Sequence, residues 1–235
     1  MIRQGLALLG ALMVGACAFG NDSDFRAAKP NLEIATTQEI AVGTQDQRPK
    51  VVSGSYSLTY TGESRSQANI PFGVHTESGR PLAEDVNLAV ANALTAKNIQ
   101  VTLVPIPAKD SRVDAIKRLT DTGKPRVLLV SIDEWQTDMG PNSMDFRSIP
   151  GGGFYNASKL GISFSFALRA DVFDAEGNER GSSDSVRLGR IKDVMQDASM
   201  WTVNPHTPAS RKAVAMAQEA LQALLNDPKI VEALQ

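Results

Sequence analysis

One cysteine, Cys17, stands in the chain, and its surroundings are the one place where residue type and spacing together specify a reaction. It closes the run Leu6 to Cys17, LALLGALMVGAC, in which Val14-Gly15-Ala16 put an aliphatic and two small residues directly before the thiol. Sulfur is a strong nucleophile among side chains. Small neighbours leave the sulfur and the preceding peptide bond sterically open, so Cys17 is the candidate for covalent modification.

The residues in front agree with that chemistry. Arg3 is the only charged side chain in Met1 to Gln4, and an uncharged apolar run continues to Ala16, the layout of a secretory signal. The run is shorter than the ~20 residues that a membrane-spanning helix needs. Val14-Gly15-Ala16-Cys17 resembles a bacterial lipobox, which implies that residues 1–16 are removed and that Cys17 carries a diacylglyceryl group with an N-acyl chain. Two or more chains hold a protein stably where one does not. By resemblance to that class, Ala18 rather than aspartate after the cysteine favours the periplasmic face of the outer membrane, with the inner membrane as the alternative.

Elsewhere the side chains do not assemble into a known pattern. His75 and His206 are the two histidines, they fall in separate loops without HExxH spacing, and no metal is expected. With Gly177 at the sixth position of a calcium loop, Val172 and Ser183 would stand where carboxylates are required. Neither a G-x-S-x-G elbow nor an S-x-x-K pair occurs. Asp133 and Glu134 are adjacent on a strand and point to opposite faces, and Pro150-Gly151-Gly152-Gly153 lacks the lysine of a phosphate loop. No catalytic residue and no cofactor is therefore expected. A net charge of −2 leaves no basic footprint for nucleic acid.

Two stretches rise above this background. Asp138 to Asn156 reads as a long Gly/Pro-rich loop carrying Met139, Met144, Phe146, Phe154 and Tyr155, which could contact a partner, a lipid headgroup region or the body of the protein, the last being favoured. Asp46-Gln47-Arg48-Pro49 follows a strand. Arg48 there pairs with Asp46 or with a buried carboxylate, and a structural turn is the favoured reading.

The elements that must position these residues follow from periodicity. Ala18 to Pro30 is small and polar and is expected to be a flexible tether. Strands are expected at Gln38–Thr44, Val51–Tyr60, Gln100–Val104, Arg126–Gln136, Leu160–Val172 and Arg180–Ile191, and Gly62–Gly79 reads as loop. Val127 to Val130 is continuously apolar, as in a central strand. Helices are expected at Pro81–Lys97, with Pro81 at N1, after Ser111 with Val113, Ile116 and Leu119 inward, and at Pro208–Asn226, with a last turn after Pro228. The fold class is α/β in the α+β sense: a single mixed, largely antiparallel sheet with two main amphipathic helices packed on it. Residues 31–235 are read as one periplasmic domain.

The lipobox, the strand running into Asp46-x-Arg48, the helix beginning Pro81-Leu-Ala-Glu-Asp85-Val and the hairpin Leu168-Arg-Ala-Asp-Val-Phe-Asp-Ala-Glu-Gly177 together resemble the YajG-like group of small bacterial lipoproteins. That resemblance implies location and fold more than activity. The expected function is a binding or envelope-maintenance role, with the membrane as a partner through the Cys17 lipid and an envelope protein or glycan as a second. The alternative is an envelope hydrolase whose site is assembled only in three dimensions.

Overall fold

Sixteen residues from Arg126 to Pro141 form the strand on which the sheet is assembled. The computed structural model describes residues 22–36, 38–65, 71–141, 146–149, 153–156, 160–183, 186–188, 193–195 and 208–235. In chain order the elements are β1 (Ile40–Asp46), α1 (Pro49–Val52), β2 (Tyr60–Arg65), β3 (Pro71–His75), α2 (Leu82–Thr95), β4 (Val101–Pro105), α3 (Arg112–Thr120), β5 (Arg126–Pro141), β6 (Phe146–Ile149), β7 (Gly153–Asn156), β8 (Leu160–Asp174), β9 (Glu179–Ser182), β10 (Val186–Leu188), β11 (Asp193–Met195), α4 (Pro208–Leu225) and α5 (Pro228–Leu234).

β5 is long enough to hold two partners on one edge. Its first half, Arg126 to Ile132, runs parallel to β1, and Thr137 to Met139 run parallel to β2. The other edge pairs antiparallel with β8, whose far side takes β9, β10 and β11 in turn. β4 is parallel to β1 and closes the other end. The sheet is therefore mixed, with helices packed on it, an α+β fold as expected.

A bulge between Ile132 and Glu134 changes the parity of β5. Before it Leu128, Val130 and Ile132 face the main core, and after it Trp135 and Met139 do. One extra residue moves every later side chain to the other face. On that face α2 buries Leu82, Val86, Val90 and Leu94, α4 buries Ala213, Met216, Ala217, Leu221 and Leu224, and β8 contributes Ile162, Phe164, Phe166, Leu168 and Val172. α3 covers part of the opposite face, over Ala41, Val127, Leu129 and Phe173. Its start is the expected Ser111 cap: Ser111 Oγ accepts the Asp114 N–H and Asp114 reaches back to the Ser111 N–H.

Several expectations require correction. Residues 22–30 are not a tether: Phe25 and Ala28 are buried in the main core, with Leu32 and Ile34 after them. Phe25 meets the Trp135 ring edge-on at 4.9 Å, burial that a flexible segment does not make. Val51–Tyr60 is not a strand, because Pro49 opens the short helix α1 and Gly54 turns the chain with φ of 77°. Gly62–Gly79 is not simply loop, since it contains most of β2 and all of β3, paired antiparallel. Gly62 is required there, because a Cβ would lie 1.9 Å from the carbonyl oxygen of Thr137.

Pro81 is the N-cap of α2, not its N1 residue. Val113 faces solvent, because Ala115 and Leu119, a turn apart, set the buried face of α3. The expected loop at 138–156 holds the end of β5 and the hairpin of β6 with β7. The expected return strand at 180–191 is divided between β9 and β10.

Candidate functional site

β1 delivers Asp46 to its carboxyl end, and the chain turns there so that Arg48 comes back on it. Arg48 Nη2 donates to Asp46 Oδ2 at 2.6 Å and Nε to Oδ1 at 2.8 Å. The third guanidinium nitrogen, Nη1, donates to the carbonyl of Tyr60 at 2.6 Å. Both side chains are buried, 7% and 2% exposed for Arg48 and Asp46. Bidentate geometry is the strong form of this pair. The result is a clasp that ties the end of β1 to the start of β2 and closes residues 47–60 into a short, bonded loop.

The loop is held from inside as well. Val51 is buried, the Tyr56 N–H donates to the Lys50 carbonyl at 2.8 Å, and the Leu82 N–H of α2 donates to the Leu58 carbonyl at 2.9 Å. Three large apolar side chains face outward from the loop among exposed Lys50, Ser53, Ser55 and Ser57: Val52 is 43% exposed, Tyr56 36% and Leu58 41%. The Tyr56 ring lies 4.2 Å from that of Tyr60, and Tyr60 meets the His75 ring edge-on at 6.0 Å. Burial and the adjacent Tyr56 push the Tyr60 phenol well above its ordinary range, so it is neutral. Lys50 lies over the Tyr56 ring at 4.7 Å and donates to its hydroxyl at 3.0 Å, which raises the ammonium pKa. Residues 47–62 contain no acidic side chain.

The end of β3 adjoins this surface. His75 Nδ1 and Thr59 Oγ1 are 2.9 Å apart, and Thr59 Oγ1 is 2.7 Å from Ser57 Oγ. The backbone N–H of His75 donates to Asp22 Oδ1 at 2.9 Å, and Ser23 bridges to Thr76 in parallel. The first described residues therefore run beside the tyrosine–histidine cluster.

The expected site residues separate. Met139 is in the main core, 1% exposed, where β5 pairs with β8; it has no part in a contact loop. Phe146 lies on β6 and Phe154 and Tyr155 on β7, while Cys17, Met144 and His206 are outside the described residues. Glu134 accepts from Ser165 Oγ at 2.5 Å, and the bulge falls at Asp133. Asp171 anchors α3 to β8: it is buried and takes Arg112 Nη1 at 2.8 Å and Ser182 Oγ at 2.7 Å. Asp174 caps the β8–β9 turn; burial would raise its pKa, but the hydrogen bonds of Asn178 and the charge of Arg180 hold it at about 2. Among the described residues no group of three or more His, Cys, Asp or Glu could hold a metal ion. Open depressions of about 720 Å³, lined by Leu32, Ile34 and Lys97, and about 530 Å³, lined by Arg126, Arg180 and Lys229, contain neither His75 nor Asp133.

Sequence reasoning missed the Val52, Tyr56 and Leu58 surface because their parity matches a buried strand. The signal that separates the two is Pro49 followed by Ser53-Gly54-Ser55, a helix start and a turn.

No family model matches the chain, and no curated protein matches it in sequence. Among solved structures it is similar to protein XCC0632 of Xanthomonas campestris, from family DUF330, at 7% identity and TM-score 0.46, over 87% of this chain and 95% of that one. A neuraminyllactose-binding hemagglutinin homolog of Helicobacter pylori is similar at 13% identity and TM-score 0.38, over 87% and 93%. Lipoprotein GNA1162 of Neisseria meningitidis is similar at 12% identity and TM-score 0.27, over 81% and 99%. Among the described residues no helix is long and apolar enough to cross a membrane.

Proposed function

We propose that the chain is a lipid-anchored protein of the bacterial envelope that acts by binding an envelope component, through the surface of Val52, Tyr56 and Leu58. The anchor reading rests on Val14-Gly15-Ala16-Cys17 behind an apolar, uncharged run, and Ala18 favours the outer membrane. The observation that carries the binding reading is the loop itself: three large apolar side chains, each more than a third exposed, on a backbone clasped at both ends by Asp46, Arg48 and Tyr60. Large apolar side chains held exposed on one ordered loop are a candidate interaction surface. A loop already ordered loses little conformational freedom on binding.

A photo-crosslinking residue placed at Leu58 in the full-length lipoprotein, in cells, tests this, with the same residue at exposed Glu176 on the β8–β9 turn as control. The expected result is an adduct from position 58, absent from position 176 and reduced when Cys17→Ala removes the anchor. No adduct at 58, or equal adducts at both positions, would overturn the binding reading.

A further inference from the structure

We propose that the Val52, Tyr56 and Leu58 surface seats on the bilayer that holds the Cys17 lipid, inserting at the headgroup level. The inference rests on the reading of Cys17 as the lipidated residue and of this surface as the binding one. Asp22 stands five residue steps after Cys17. At no more than ~3.6 Å per step the five steps span at most about 18 Å, whatever their path. Asp22 is bonded to the backbone of His75, the His75 ring touches Tyr60, and Tyr60 lies against Tyr56. The lipid therefore lies within about 18 Å of Asp22, at the end of the molecule that carries the loop, and the membrane surface is within reach of it.

The chemistry of the loop suits that surface. Tyrosine is enriched where membrane meets water, because its ring is apolar and its hydroxyl polar. The ammonium of Lys50 lies over the Tyr56 ring and donates to its hydroxyl, so the charge sits beside the polar end of the ring, where a headgroup layer can take it. The loop itself carries no acid from residue 47 to 62, and Lys50 attracts anionic phospholipids, while Glu63 and Asp138 stand near the Lys50 and Tyr60 side of it. Glu176 and the β8–β9 turn lie beside Arg126 at the start of β5, whereas β2 joins β5 at Thr137, roughly 35 Å further along the strand. That end points away from the bilayer.

The full-length lipidated protein, reconstituted into vesicles of phosphatidylethanolamine and phosphatidylglycerol, provides the test. An environment-sensitive fluorophore is attached through Leu58→Cys, Val52→Cys or Glu176→Cys, since a lipidated Cys17 has no free thiol, and lipids carrying a quencher at the headgroup–acyl boundary are added. Quenching at positions 52 and 58 at least three-fold stronger than at 176 is the expected result. Equal quenching at all three positions overturns the docking. The mass of the Cys17 peptide is measured on the same samples: without lipid, the anchor reading and the docking both fall; with lipid present and positions 52 and 58 unquenched, only the docking falls and the surface faces a protein instead.

Discussion

The carboxylate of Asp22 accepts the backbone N–H of His75 at 2.9 Å, so a residue only five places after Cys17 is fixed at the end of β3. The described body of the protein therefore begins at Asp22. Phe25, in the stretch that composition marks as a tether, is 1% exposed and packs on Trp135. Replacing it, Phe25→Ala, is expected to cost about 3–5 kcal/mol in urea unfolding, the range for a buried ring. A cost under about 0.5 kcal/mol, typical of an exposed site, would contradict this packing.

Arg48 and Asp46 form a buried pair that also holds the Tyr60 carbonyl. Removing one partner leaves the other charge buried and unpaired, so Arg48→Ala is expected to destabilise by about 3–5 kcal/mol. Replacing both together, Asp46→Leu with Arg48→Met, is expected to cost less than the single change. Limited proteolysis is the second readout: in Arg48→Ala, cleavage should begin within 49–58, where the clasp no longer closes the loop.

Gly62 lies directly on the backbone of Thr137, and nothing flexible can give way. Gly62→Ala is expected to break the β2–β5 pairing at a cost of at least ~3 kcal/mol, above the usual range for overpacking against side chains. Gly54→Ala, at a positive φ with nothing within 4 Å of a new Cβ, meets backbone strain alone and is expected to cost about 1 kcal/mol.

Burial pushes the Asp85 carboxyl up to about 6, although Ser78 Oγ donates to both of its oxygens and Arg26 is near. Because the folded carboxyl holds its proton more tightly than the unfolded one, this contribution to stability is complete below about pH 4 and is lost as pH rises through 6. Asp85→Asn does not ionise. The stability of Asp85→Asn relative to the parent, from urea curves at each pH, should therefore rise between pH 4 and 6 and stay level above 7; a flat difference would show that the buried carboxyl does not titrate there.

How much of this was legible depends on how local the cause is. The alternation of β8 and the stripe of α2 are carried by side chains a few residues apart, and both elements form where their periodicity puts them. The turn at Gly177, with φ of 84°, was equally readable from residue type. Met139 was not: its place in the core follows from the bulge at Asp133, a feature of how β5 pairs with β8, and without the bulge it would face the other way. Val52, Tyr56 and Leu58 repeat like strand residues, yet Pro49 and Gly54 override that period. Local spacing suggests the Asp46–Arg48 pair as a turn contact, but its grip on the Tyr60 carbonyl depends on β2 returning to β1's end, which no local pattern encodes. Phe25 shows the same limit, since its partner Trp135 is over a hundred residues away.

Hydrogen exchange of the lipidated protein on vesicles, compared with the lipid-free chain from Ala18 onward in solution, tests the account most directly. Membrane contact should slow the backbone amides of residues 52–59 on vesicles while those of 112–120, in α3, exchange alike in both forms. Equal exchange of residues 52–59 in the two states would contradict it.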